Sequence, residues 1–161
     1  LPILSLVDTP GFMVGPEVEA TAQVRHVSRL FVTAASLRVP TFSVVLRKGY
    51  GLGAMGMTAG GFHAPVFTVA WPTGEFGAMG LEGAVRLGFR KELEALPEGA
   101  ERDALFAKLL AKSYANGEAI HMAATLEIDA VIDPADTRAW LARGLASAQV
   151  APLGHRFVDT W

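Results

Sequence analysis

The residues best suited to chemistry lie in one short run, Leu46-Arg47-Lys48-Gly49-Tyr50-Gly51-Leu52-Gly53-Ala54-Met55-Gly56. An apolar, β-branched strand pattern from Thr41 leads into it, and a small-residue stretch of helix-like content follows. Glycine allows tight turns and close approach by a ligand. The first amides of a helix have no intrahelical acceptor. A strand that turns on glycine into a helix start therefore aims N–H groups at an anion or a developing oxyanion. Gly51 to Gly56 also matches G-x-G-x-x-G, with Glu75 near the place of a ribose-binding acid. Against a dinucleotide site, Gly56, Gly60 and Gly61 weaken a long crossover helix. Glu75 also follows the break Trp71-Pro72-Thr73-Gly74 instead of ending a strand. Close helix–sheet packing is the plain structural reading of these glycines.

Few other side chains compete for a chemical role. Cysteine is absent, which excludes disulfides, thiolate metal sites and a Cys nucleophile. His26, His63, His121 and His155 show no H-x-x-x-H or H-E-x-x-H spacing, so no metal site is expected. No Ser-His-Asp set or carboxylate pair accompanies the glycine run. Arg47 and Lys48 offer either attraction for phosphates or an internal ion pair, and the structural reading is favoured. Glu75 is either an acid/base group or a hydrogen-bonded structural one. Asp8 is expected to brace the turn Thr9-Pro10-Gly11, and Trp71-Pro72 to shape its own turn.

These residues need elements to hold them. Pro2 to Val7 reads as a buried strand, and Asp8 to Phe12 as a turn. One helix is expected from Pro16 to about Leu37, with Val24, Val27, Leu30, Phe31 and Ala34 on one face, before Pro40. Strands follow at Thr41 to Arg47, Pro65 to Ala70 and Phe76 to Met79, then a helix from Leu81 to about Phe89. Gly99 to Gly117 is an amphipathic helix whose stripe of Leu105, Phe106, Leu109 and Leu110 reads as core or subunit interface. Glu118 to about Leu126 is a further helix, and Asp129 to Pro134 a short strand and exit turn. Asp133 or Asp136 caps a last helix to about Ala148, and Val150 to Trp161 is an irregular tail. Strands alternating with helices argue for an α/β layer fold. The helical C-terminal part would cap the sheet or pack on another subunit.

The chain has 161 residues, enough for one domain with a real core. Hydrophobic residues make up 51%, and the mean hydropathy of +0.33 asks for either a buried partner face or an alanine-rich core. A net charge of −2 with no basic run argues against nucleic acid as a partner. No apolar run reaches the roughly 18 residues of a membrane helix, and no signal peptide is visible. A cytoplasmic protein is the expectation. The chain opens at Leu1 on an apolar strand, which reads as the C-terminal part of a longer polypeptide.

Three stretches together carry a family resemblance. They are Val7-Asp8-Thr9-Pro10-Gly11-Phe12 with Gly15; Arg47-Lys48-Gly49-Tyr50-Gly51; and Ala70-Trp71-Pro72-Thr73-Gly74-Glu75 leading into Met79-Gly80-Leu81-Glu82-Gly83-Ala84-Val85. In order and spacing they resemble the C-terminal half of the carboxyltransferase (beta-type) subunit of biotin-dependent acyl-CoA carboxylases. Glu127 to Pro134 resembles that family's closing strand. The resemblance implies a crotonase-like (ClpP/crotonase) α/β spiral of stacked ββα units with C-terminal helices. It also implies that the whole chain is the biotin-binding domain, with acyl-CoA bound by an N-terminal half. The active site would lie where the N-half of one protomer meets the C-half of another. Biotin would arrive on a carrier domain or subunit, with a biotin carboxylase component and a homo-oligomeric assembly.

The implied reaction moves a carboxyl group from carboxybiotin to the α-carbon of an acetyl- or propionyl-class acyl-CoA. Two backbone amides stabilise charge on the ureido oxygen, each donor typically worth about 3 kcal/mol. No side-chain general base is required. The matching positions are the amides of Leu52 and Gly53, or in a shifted register Gly53 and Ala54. Gly11, Phe12, Gly51 and Met55 are the residues expected to line the cofactor and acyl pocket. The family loop often reads Gly-Gly-Ala where this chain has Leu52-Gly53-Ala54. Met55 stands where some propionyl-type members carry an acidic residue, so the acyl length stays open. A decarboxylase running related chemistry, a crotonase-type hydratase or isomerase using Glu75, and a non-catalytic assembly domain are the alternatives.

Overall fold

The computed structural model describes residues 1–149. The expected tail, Val150 to Trp161, and His155 lie outside the described residues. The centre of the molecule is a five-stranded parallel sheet in the order β1-β2-β3-β5, formed by β1 (Ile3–Thr9), β2 (Thr41–Tyr50), β3 (Phe67–Ala70) and β5 (Ala130–Val131). The fifth strand, β4 (Glu75–Gly77), pairs with the far end of β2, and its Glu75 also forms an isolated bridge with Glu118. β2 therefore serves two neighbours in turn: Phe42 to Val45 pair with β3, and Lys48 to Tyr50 pair with β4.

Alternation along β2 builds both faces of the core. Phe42 and Val44 join Phe67, Val69 and Ile132 on one face. Val45 joins Val7, Ala54, Ala70, Phe76, Ala119 and Ile128 on the other. Helix α8 (Thr137–Ser147) covers the first face. Its Trp140 stands edge-on to Phe67 at 5.7 Å, and Phe67 lies tilted on Phe42 at 5.1 Å. Such ring pairs contribute about 0.5–1.5 kcal/mol each beyond their burial. Trp71 donates from Nε1 to Thr137 Oγ1 at 3.0 Å, so it shapes the seat of α8 and not a ligand site. Asp133 supplies the expected cap by accepting from the Ala135 amide, but it caps a 3-10 turn, Pro134–Asp136, that leads into α8.

Several expectations need correction. β1 is an edge strand in which Val7 is buried while Ile3, Leu4 and Leu6 are exposed. The long helix is two, α1 (Pro16–Ala20) and α2 (Gln23–Ala35). Ala22, at a φ of 59°, turns the chain between them, a left-handed geometry that periodicity cannot reveal. β2 runs three residues beyond Arg47, and the expected helix-like stretch is a short helix, α3 (Gly51–Met57), that begins directly at Gly51. β4 covers Glu75–Gly77 and not Phe76 to Met79. α4 (Leu81–Gly88) is followed by a further helix, α5 (Arg90–Glu94), before α6 (Ala100–Asn116) and α7 (Ala119–Ala124).

α6 has no fully buried residue, and its stripe Leu105, Phe106, Leu109 and Leu110 is half-buried. It leans on α4 through Arg86 over the Phe106 ring at 4.5 Å and through Tyr114, which donates to Glu82 at 2.9 Å. α2 also has no buried residue, and Val24 is 75% exposed. Among the described residues no helix is long and apolar enough to cross a membrane.

Candidate functional site

The ends of β1 and β2 meet at the glycine run. Between Val7 and Thr9 the β1–β2 register shifts, because Val7 lies opposite Val45 but Thr9 opposite Gly49. Asp8 fills the irregularity. Its carboxylate accepts from the Lys48 amide at 3.1 Å and from Arg47 Nε and Nη2 at 3.3 and 3.2 Å. The Lys48 amide bond foremost, helped by the Arg47 guanidinium, holds the Asp8 carboxyl below the usual carboxylate range against the opposing effect of desolvation. Asp8 thus ties β1 to β2 instead of bracing its own turn. Thr9 does that, with Oγ1 accepting from the Gly11 amide at 3.3 Å. Arg47 is an ion-pair partner, as the structural reading expected.

Tyr50 ends β2 in extended geometry and is the N-cap of α3. Gly51 takes a φ of +56°, and a Cβ there would lie 2.6 Å from the Ala78 carbonyl oxygen. Gly53 faces the other way: a Cβ on it would come within 2.8 Å of Gly11 Cα. The helix start is therefore wedged between Ala78, just after β4, on one side and the turn after β1 on the other. Leu52 and Gly53 occupy the second and third helical positions, whose amides have no acceptor inside the helix. Ala54 is fully buried, and its amide is placed to close the first turn onto the Tyr50 carbonyl. This geometry can accept an anionic oxygen at Leu52 and Gly53 more readily than at Ala54.

The expected pocket residues divide between two cavities. Phe12 and Leu52 line a small apolar one of about 170 Å³ with Val14, Val24 and Val27. Gly51 and Met55 line a larger one of about 530 Å³ on the opposite side of α3, with Phe62, Phe76 and Met122. Gly11 touches Gly53 from the first side. Gly51 and Met55, four apart, share one face of α3, whereas Leu52, the neighbour of Gly51, lies off it. Glu75 lines neither cavity and lies opposite Lys48 in the β2–β4 pair. The dinucleotide reading lacks its frame: α3 has seven residues, and Glu75 starts a strand.

Beside the site lies a cluster to which the sequence assigns no role. Tyr50 is 3% exposed and its hydroxyl has no hydrogen-bond partner among the described residues. Burial first, and then the nearby Glu75, Tyr114 and Glu82, hold its phenol far above the ordinary range. Glu82 is held low by its own backbone amide and by Tyr114, whose phenol is raised in return. A tyrosine flanked by glycines after a strand is the one sequence signal that points to Tyr50. Among the described residues no three His, Asp or Glu side chains gather as metal ligands.

The family model described as "Carboxyl transferase domain" matches residues 1–157. The methylmalonyl-CoA carboxyltransferase 12S subunit of Propionibacterium freudenreichii subsp. shermanii is 37% identical over 147 residues, 90% of this chain and 27% of that one. The propionyl-CoA carboxylase carboxyltransferase subunit of Haloferax mediterranei is 39% identical over 140 residues, 86% and 26% of the two chains. A solved single-chain, multi-domain long-chain acyl-CoA carboxylase is 57% identical with a TM-score of 0.78, over 89% of this chain and 14% of that one. The transcarboxylase 12S hexamer, solved with methylmalonyl-CoA bound, is 32% identical with a TM-score of 0.83, over 99% and 31%. The chain spans about a quarter of the length of the curated relatives that it matches.

Proposed function

The chain belongs to the carboxyl transferase domain family, with its crotonase-like fold, and from that premise we propose that residues 1–161 are the biotin-binding C-terminal domain of an acyl-CoA carboxylase carboxyltransferase. The observation that carries this reading is the wedged start of α3. Gly53 packs on Gly11 with no room for a side chain, and the amides of Leu52 and Gly53, at the second and third positions of α3, have no acceptor inside the helix. That donor set fits the ureido oxygen of biotin. Carboxybiotin, when bound, supplies the carboxyl group and an oxygen on which negative charge develops. The two amides hold that oxygen, and fixed donors of this kind lower a barrier by about 3 kcal/mol each. Asp8, through Arg47 and the Lys48 amide, holds the strand end from which they project.

The acyl substrate of this reading is of the acetyl- or propionyl-CoA class. The likeness to a long-chain acyl-CoA carboxylase supports a longer chain as a second reading, for which the cavity beside Met55 offers room. The partners are an N-terminal acyl-CoA half, a biotin carrier and a biotin carboxylase, within a cytoplasmic homo-oligomer. The apolar faces left open on β1 and α2 support such an assembly.

The test is complementation. The chain alone should transfer little or no carboxyl group from carboxybiotin to propionyl-CoA, and transfer should appear when the acyl-CoA half is supplied. A folded, assembled complex that still transfers nothing overturns the proposal.

A further inference from the structure

One buried group beside the site has no use in the reaction as described. Tyr50 is directly followed by Gly51, Leu52 and Gly53, and its enclosed hydroxyl has no hydrogen-bond partner among the described residues. An enclosed, unsatisfied hydroxyl is costly, so it calls for an acceptor. Three ionisable groups act on the phenol, Glu75 on β4, Tyr114 on α6 and Glu82 on α4, and Lys48 on β2 acts in turn on Glu82. Tyr114 already donates to Glu82. Glu75 is half-buried and acts on the phenol directly.

The backbone explains why this spot matters. Tyr50 lies opposite Gly77 in the β2–β4 pair. A Cβ on Gly77 would lie 3.4 Å from Tyr50 Cδ1 and 2.8 Å from Leu81 Cδ2, so the Tyr50 ring is seated against β4 and α4. The next residue, Gly51, presses on Ala78. β4 is thus the template for the step at which the chain leaves β2 and becomes α3.

We propose that Tyr50 is a positioning residue: its buried hydroxyl donates to the Glu75 carboxylate and locks the end of β2 onto β4, which sets where the Leu52 and Gly53 amides point. The phenol stays protonated, and so remains a donor, throughout the neutral range. The effect on turnover rests on the carboxyltransferase reading above; the effect on backbone mobility does not.

The experiment uses the assembled carboxyltransferase that carries this chain. Tyr50→Phe keeps the ring and its packing and removes only the hydroxyl. It should lower kcat for carboxyl transfer roughly tenfold, since small displacements of catalytic groups cost one to two decades. KM for acyl-CoA should be unchanged, and the melting temperature should not fall. Amide hydrogen exchange over residues 51–57 should speed up. Glu75→Ala should behave alike, the double variant should be no worse than either single one, and Glu75→Gln, which keeps an acceptor oxygen, should restore most of the activity. Unchanged exchange in Tyr50→Phe overturns the proposal, as do additive losses in the double variant. A wild-type assembly with no transfer would sink the carboxyltransferase reading instead and leave exchange to decide the role of Tyr50. Complete inactivity of Glu75→Gln would overturn the positioning role and make Glu75 an acid/base group.

Discussion

At the residue scale, Gly53 makes the sharpest demand. Its Cβ position is occupied by backbone, Gly11 Cα, which cannot swing away as a side-chain end could. Gly53→Ala should therefore move the turn or the helix start, at about 1–3 kcal/mol of stability. Carboxyl transfer by the assembled enzyme should fall roughly 10- to 100-fold. Circular dichroism with steady-state rates checks both; a folded variant with full transfer would leave the glycine a packing device only. Asp8 gives a pH prediction. Its folded pKa lies below the unfolded one, so its contribution to stability is present at neutral pH and is lost as pH falls through the acid range below about 4. Asp8→Asn should lower the urea midpoint slightly at pH 7, and the gap from wild type should close under acid. The effect is modest because the Asp8 side chain is 38% exposed.

At the element scale, α8 is held on the sheet by a close approach. A Cβ on Gly144 would meet Phe67 Cε1 at 2.6 Å and Phe42 Cε1 at 2.8 Å. Both rings are fixed in the core, and Trp140 closes over Phe67. Gly144→Ala should cost about 1–3 kcal/mol, read from urea unfolding. Transfer should be untouched, because α8 lies on the face opposite Ala54 and α3. Strands were legible wherever β-branched residues alternate, and Thr41 to Val45 is the best case. The break at Ala22 was not, because it depends on a single left-handed residue. The turn into a helix at Gly51 was legible, but its seat against Gly11 and Ala78 was not.

At the scale of the whole molecule, the apolar surplus in the composition resolves mainly into open faces. Met13, Val14 and Val24 are 69%, 82% and 75% exposed, beside the cavity that Leu52 shares with Phe12. Exposed apolar surface next to a candidate site marks an interaction surface, which is what the proposed assembly requires. The sequence by itself determined the α/β class, the strand and amphipathic helix patterns, and the three motifs that identify the family. These are local, and they depend on residue type and spacing alone. Only the tertiary structure decided that Phe12 and Met55 lie on opposite sides of α3, that Asp8 grips the neighbouring strand, and that Tyr50 is buried against β4 and α4. Each is a relation between residues far apart in the chain, set by which strand lies beside which and by how closely two backbones can approach.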